Sequence, residues 1–99
     1  MGNDGYHQLV EDGLSTELVH VGFGGVVAAN RIVAIMSPDS APVRRLIQEA
    51  RERQMAIDMT YGRKTKAVIV LDSGHVAMTA IGPETIVNRI ENRKGRQRE

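Results

Sequence analysis

The sequence predicts a small α+β domain of order ββα-ββα, an antiparallel sheet carrying two helices, and three observations predict it. Apolar, β-branched runs bounded by glycine and turn residues recur at 18–21, 26–36, 67–71 and 75–81, which is strand chemistry. Between the second and third runs, Val43, Leu46, Ile47, Ala50, Gln54 and Ile57 return at the spacing of one helical face. After the last run, Pro83 opens a shorter helical pattern with Ile86, Val87 and Ile90 facing inward.

Residues 1–17 are polar and acidic with no sustained period and read as a flexible leader, so the domain proper spans 18–92 with a basic tail over 93–99. Leu18-Val19-His20-Val21 is the first strand and stops at Gly22-Phe23-Gly24-Gly25. The second apolar run starts at Val26, with a break or bulge expected where Asn30-Arg31 interrupts it. Ser37-Pro38-Asp39-Ser40 is turn chemistry: Ser40 can accept from a free N–H of the first helical turn, and Pro42 falls where a missing N–H costs nothing. Along this helix Arg44, Gln48 and Arg51 share a second face, and Arg45, Glu49 and Arg53 stand four apart, a spacing that suits ion pairs. Residues 56–60 read as a short strand leading into Tyr61-Gly62-Arg63-Lys64-Thr65-Lys66, and Asp72-Ser73-Gly74 joins the last two strands as a tight hairpin.

A chain of 99 residues with 41% hydrophobic and 25% charged content makes one domain and holds no run near the roughly 20 apolar residues of a membrane helix. Neither a secretory signal nor a myristoylation pattern stands at Met1-Gly2, so the expected location is the cytoplasm. The absence of cysteine removes disulfides, thiolate metal sites and cysteine nucleophiles, and His7, His20 and His75 have no ligand spacing, so neither metal nor cofactor is expected. With one Phe, two Tyr and no Trp the core is thin. A domain of this size buries only roughly 60% of its unfolded surface, and self-association is the usual remedy where no disulfide or metal braces the fold.

The formal charge of +1 hides an asymmetry. Asp4, Glu11, Asp12 and Glu17 give the leader four acids and no cation, which leaves the remaining thirteen cations against eight acids, a surplus of five. A basic domain behind an acidic leader suits a polyanion binder.

The glycine cluster at 22–25 fits no phosphate-binding loop, because no G-x-G-x-x-G or Gly-Lys-Ser/Thr is present and strand chemistry follows where those motifs need a helix. No pair of titratable groups is forced together for acid–base work: Asp58 and Asp72 suit an arginine partner or a turn cap, His20 and His75 fall in strands, and Ser73 has no evident histidine partner. An enzyme is therefore not expected. The basic residues remain. Gly62 can take the positive φ of a tight connection and so displays Arg63, Lys64 and Lys66 on a turn, with Arg31 a further candidate and Arg44 and Arg51 weaker ones. Cations spaced along a surface bind nucleic-acid backbone by releasing its counterions. No stretch interleaves aromatics with these cations, which favours duplex DNA over single strands.

Val21-Gly22-Phe23-Gly24, Ala29-Asn30-Arg31, Ser37-Pro38-Asp39-Ser40-Ala41-Pro42, Ile57-Asp58, Thr60-Tyr61-Gly62-Arg63 and Pro83-Glu84-Thr85 resemble, in this order, the signature of the RemA family of bacterial extracellular-matrix regulatory proteins. The resemblance spans about 18–90, and the acidic leader is an addition to it. It implies a DNA-binding transcription regulator of biofilm-matrix genes, a protomer like a LytTR-type DNA-binding domain, and assembly into a homo-oligomeric ring. By position it also implies DNA contacts at Arg31, Arg63 and residue 64, and an architectural role for Pro42. Lys64 stands where the family commonly has Arg; the charge is kept and the planar fork lost.

The expectation is thus a cytoplasmic, ring-forming homo-oligomer that binds double-stranded DNA through Arg31, Arg63, Lys64 and Lys66. Its rivals are a structural oligomer whose basic turns make subunit contacts and, further off, a small ligand-binding or hydrolytic protein.

Overall fold

The computed structural model describes residues 17–98, with side chains for 17–92. The expected leader lies outside the described residues apart from Glu17, as do the side chains of the expected basic tail.

Two sheets form. In the first, β1 (Leu18–His20) and β2 (Val26–Ala28) pair antiparallel around the glycine turn. The pairing reaches one step further back, since the Glu17 carbonyl accepts from Ala29 N–H at 2.7 Å. A 3₁₀ turn over Ala29–Arg31 then redirects the chain into β3 (Ile32–Met36), which belongs to the second sheet. The interruption expected at Asn30-Arg31 is therefore a change of sheet. A register shift between Ile32 and Ala34 makes a bulge in β3 and turns Val33 outward, 65% exposed.

The first helix, α1 (Ala41–Glu52), starts as its sequence dictates: Ser40 Oγ accepts from Val43 N–H at 3.3 Å, with proline in the first turn. It ends earlier than the apolar spacing suggested. Gln54 takes φ +60, Gln54 N–H donates to the Arg51 carbonyl and Met55 N–H to that of Ala50, a Schellman stop made without glycine. Gln54 and Ile57 thus fall outside the helix, and Ile57 sits in β4 (Ala56–Met59). Among the described residues Arg45, Glu49 and Arg53 form no ion pairs, and the one ion pair joins Arg31 to Asp72.

The second sheet has the order β3-β5-β6-β4, with β5 (Ala67–Leu71) and β6 (Val76–Thr79) at its centre. The hairpin at 72–74 forms as expected, with His75 just ahead of β6, not within a strand. The sheet is mixed and not antiparallel throughout, because β4 runs parallel to β6. That pairing has a topological consequence. β4 neighbours β6, so the chain must cross the end of β6, about 10 Å or two strand spacings, to begin β5. The crossing segment is the basic stretch 60–66.

The central strands are buried on both faces. Ala67, Ile69 and Ala77 face Val19, Val21 and Val27 of the first sheet together with Ile86 of α2 (Pro83–Arg98). Val68, Val76 and Met78 face Ile47 and Ala50 of α1. The result is three layers: the small hairpin with α2, the four-stranded sheet, then α1. In α2, Ile86 and Ile90 pack inward one turn apart, whereas Val87, about 100° round the helix, lies at the rim and is 38% exposed. The helix continues through Arg98, beyond the short pattern expected from the sequence.

Candidate nucleic-acid interface

The basic stretch begins on a brace. Asp58 accepts from Thr60 N–H at 2.9 Å and from Thr60 Oγ at 2.7 Å, which fixes the exit from β4. These two hydrogen bonds, helped by the positive charge of Arg51, hold the Asp58 carboxyl below its ordinary value against the small opposing effect of burial. Arg63 N–H then donates to the Thr60 carbonyl at 3.1 Å around Tyr61 (φ +54) and Gly62 (φ +83), so both central residues of the turn are left-handed, as in a type I′ turn. At the far end Lys66 N–H donates to the Thr79 carbonyl at 2.7 Å, pinning the segment to the end of β6. Arg63, Lys64 and Lys66 are exposed between these anchors, and no carboxylate among the described residues lies within ion-pair distance of them.

The glycine cluster builds a second turn of the same kind. Gly25 N–H donates to the Gly22 carbonyl at 2.9 Å around Phe23 (φ +52) and Gly24 (φ +98). The two turns meet. A Cβ on Gly24 would stand 3.5 Å from the Tyr61 hydroxyl, and the Arg63 guanidinium carbon lies 3.7 Å from the centre of the Phe23 ring. The glycine cluster thus packs against the basic turn. Phe23 and Tyr61 were absent from the sequence-predicted site because 38 residues separate them. The aromatic–cation interleaving missing from any one stretch is made by the fold. One local signal existed: Phe23-Gly24 and Tyr61-Gly62 are the same aromatic–glycine pair in two predicted turns.

Arg31 does not join this group. β3 is antiparallel to β5, with Ile32 opposite Leu71, so Arg31 lies at the hairpin end of the sheet and the basic turn at the other. From Lys66 to Asp72 the chain covers roughly 20 Å at about 3.3 Å per residue. There Arg31 donates to Asp72 Oδ2 at 3.1 Å, while Asp72 N–H donates to the Arg31 carbonyl at 2.8 Å. Beside them Ser73 Oγ is 2.7 Å from His75 Nδ1, a partner the sequence did not suggest. This pair is exposed, and no carboxylate among the described residues orients the imidazole as a serine–histidine base requires. Arg44 and Arg51 are exposed on α1, across the sheet from the first hairpin.

An open groove of about 320 Å³ runs along the first-hairpin face of the sheet, between β2 and β4, with Val26, Ile57, Met59 and Leu71 among its walls and Arg31, Asp72 and Ser73 at one end. Among the described residues no helix is long and apolar enough to cross a membrane.

Comparison with known proteins places this arrangement in a family. The model of the extracellular matrix regulatory protein A-like family matches residues 18–90. A provisionally named regulatory protein of Halothermothrix orenii is 55% identical over 82 residues, 83% of this chain and 98% of the relative. Similar proteins, also provisionally named regulatory, come from Caldicellulosiruptor saccharolyticus, 60% identical over 75% of this chain and 73% of the relative, and from Synechococcus sp. strain JA-2-3B'a(2-13), 59% identical over 77% and 85%. The family match covers both aromatic–glycine turns, the basic crossing and the Arg31–Asp72 pair. This chain belongs to the extracellular matrix regulatory protein A-like family.

Proposed function

We propose that the protein is a non-catalytic, cytoplasmic, DNA-binding regulator of matrix genes that works as a homo-oligomeric ring and grips duplex DNA through repeated basic turns. The observation that carries this reading is the crossing segment, braced at both ends, whose Arg63, Lys64 and Lys66 are exposed with no carboxylate partner among the described residues. Cations held in that way are available to phosphates, and each phosphate neutralised releases counterions. Duplex is favoured over unpaired bases because the Arg63 guanidinium covers a face of the Phe23 ring on which a base would stack.

The assembly reading rests on exposed apolar edges. Val33 on β3 and Ile57 on β4 are both exposed and lie on opposite edges of the four-stranded sheet. One edge set against the other gives a heterologous, head-to-tail contact, which closes into a ring when its rotation divides a circle. A protomer offers few phosphate contacts, and repetition around a ring multiplies them.

The test is fluorescence anisotropy on a labelled duplex, with mass by light scattering, for wild type, Arg63→Ala and Arg31→Ala. Weakened binding with the oligomer intact supports the reading. Retained binding with a broken oligomer assigns these residues to subunit contacts and favours the structural rival, and a monomeric wild type removes the ring.

A further inference from the structure

Phe23 occupies a position its turn does not favour. A two-residue I′ turn prefers Asn or Gly where φ is positive, and an aromatic residue there is a genuine outlier. Burial does not explain the choice, since Phe23 is 46% exposed. Tyr61 repeats the pattern: it too is an aromatic residue at positive φ before a glycine, and it is 62% exposed. Of the three non-glycine residues with positive φ among the described residues, these two therefore sit in facing turns, and the Phe23 ring meets the one arginine of the basic stretch.

We propose that Phe23 is the positioning residue for Arg63, so that the glycine turn is a working part of the DNA interface. This inference rests on the DNA-binding reading above. The ring face holds the guanidinium by cation–π attraction without neutralising it. A carboxylate would hold it as well but would cancel the charge that phosphate needs. Ordering an arginine before contact also removes rotamer freedom that binding would otherwise have to freeze, which raises affinity with no additional contact.

The prediction separates folding from binding. Phe23→Asn gives the turn its preferred residue, so the full-length variant keeps the thermal stability and mass of wild type or gains stability. Its affinity for a labelled duplex nevertheless falls about two- to fivefold per engaged subunit, with the salt slope unchanged because Arg63 is still present. Phe23→Tyr, which keeps the ring face, restores binding. In an Arg63→Ala background Phe23→Asn has no further effect. In the free protein, the Arg63 Nε–H proton resonance carries an upfield ring-current shift that Phe23→Asn removes.

Wild-type affinity in Phe23→Asn, alongside weakened binding in Arg63→Ala, overturns the positioning role and leaves the DNA reading standing. A further loss in the Arg63→Ala background also overturns it, because Phe23 would then act independently of Arg63. Unchanged binding in Arg63→Ala overturns the DNA role of the turn and this inference with it.

Discussion

The two basic ends of the four-stranded sheet hold their arginines by opposite means. At the hairpin end Arg31 is tied to a carboxylate, Asp72, at 3.1 Å, with the two side chains 64% and 46% exposed. At the crossing end Arg63 lies against an aromatic ring at 3.7 Å. An ion pair so exposed contributes about 0 to 1 kcal/mol to folding, so its larger effect is local: it lowers the positive potential that a phosphate would meet. A ring orders the arginine and leaves its charge intact. Order and available charge therefore coincide at one end, while at the other they are traded against each other.

The largest expected effect comes from stripping the crossing end. Arg63→Ala, Lys64→Ala and Lys66→Ala together lower duplex affinity on the order of a hundredfold or more near 0.15 M salt if several subunits engage one duplex. Anisotropy reads this directly, and a triple variant that binds like wild type breaks the comparison.

Separating the two turns comes next. Gly24→Val adds a β-branched side chain at φ +98 against the Tyr61 hydroxyl. A left-handed conformation costs an ordinary residue about 1 to 2 kcal/mol. For a domain of this size that lowers Tm by roughly 5 to 15 °C in a thermal melt, with DNA binding weakened in the same variant.

A smaller change tests the hairpin end. Asp72→Asn keeps a hydrogen-bond acceptor beside Arg31 and removes the opposing charge, so duplex affinity rises by about two- to fivefold while Tm moves little. If affinity falls instead, Asp72 positions Arg31 and the contrast between the ends fails.

The parts of this fold that were legible in the sequence are those written in adjacent residues. Ser40 with Pro42 announced the start of α1, Asp72-Ser73-Gly74 announced the hairpin, and the cations of 63–66 announced an exposed basic segment. What escaped was set by distant pairing. Asn30-Arg31 marks a break in the apolar run 26–36 but does not say that β2 and β3 enter different sheets, and residues 56–60 look the same whether β4 lies beside β5 or, as it does, parallel to β6. Gln54 stops α1 in a conformation usually left to glycine, which made the apolar spacing look longer than the helix. The site was half legible for the same reason: the cations are neighbours in sequence, while Phe23 reaches Arg63, and Asp72 reaches Arg31 across 41 residues, only through the folded sheet.

The smallest expected effect concerns the brace beneath the crossing. The Asp58 carboxyl is held low by its hydrogen bonds to Thr60, so its contribution to stability is fully present above the ordinary carboxyl value. It is lost only as pH falls through the lower folded-state value. Asp58→Asn is therefore less stable than wild type at neutral pH, and the gap in Tm narrows in acid. A gap that is constant with pH would mean that the carboxylate charge does not hold the turn.

The most direct test of the contrast is the salt dependence of duplex binding in wild type, Arg63→Ala and Arg31→Ala, plotted as log affinity against log salt. The account predicts that Arg63→Ala flattens the slope by roughly 0.9 per engaged subunit, the loss of one fully charged phosphate contact, and that Arg31→Ala flattens it less because Asp72 already offsets that charge. A slope unchanged in Arg63→Ala, or reduced more by Arg31→Ala, would contradict it.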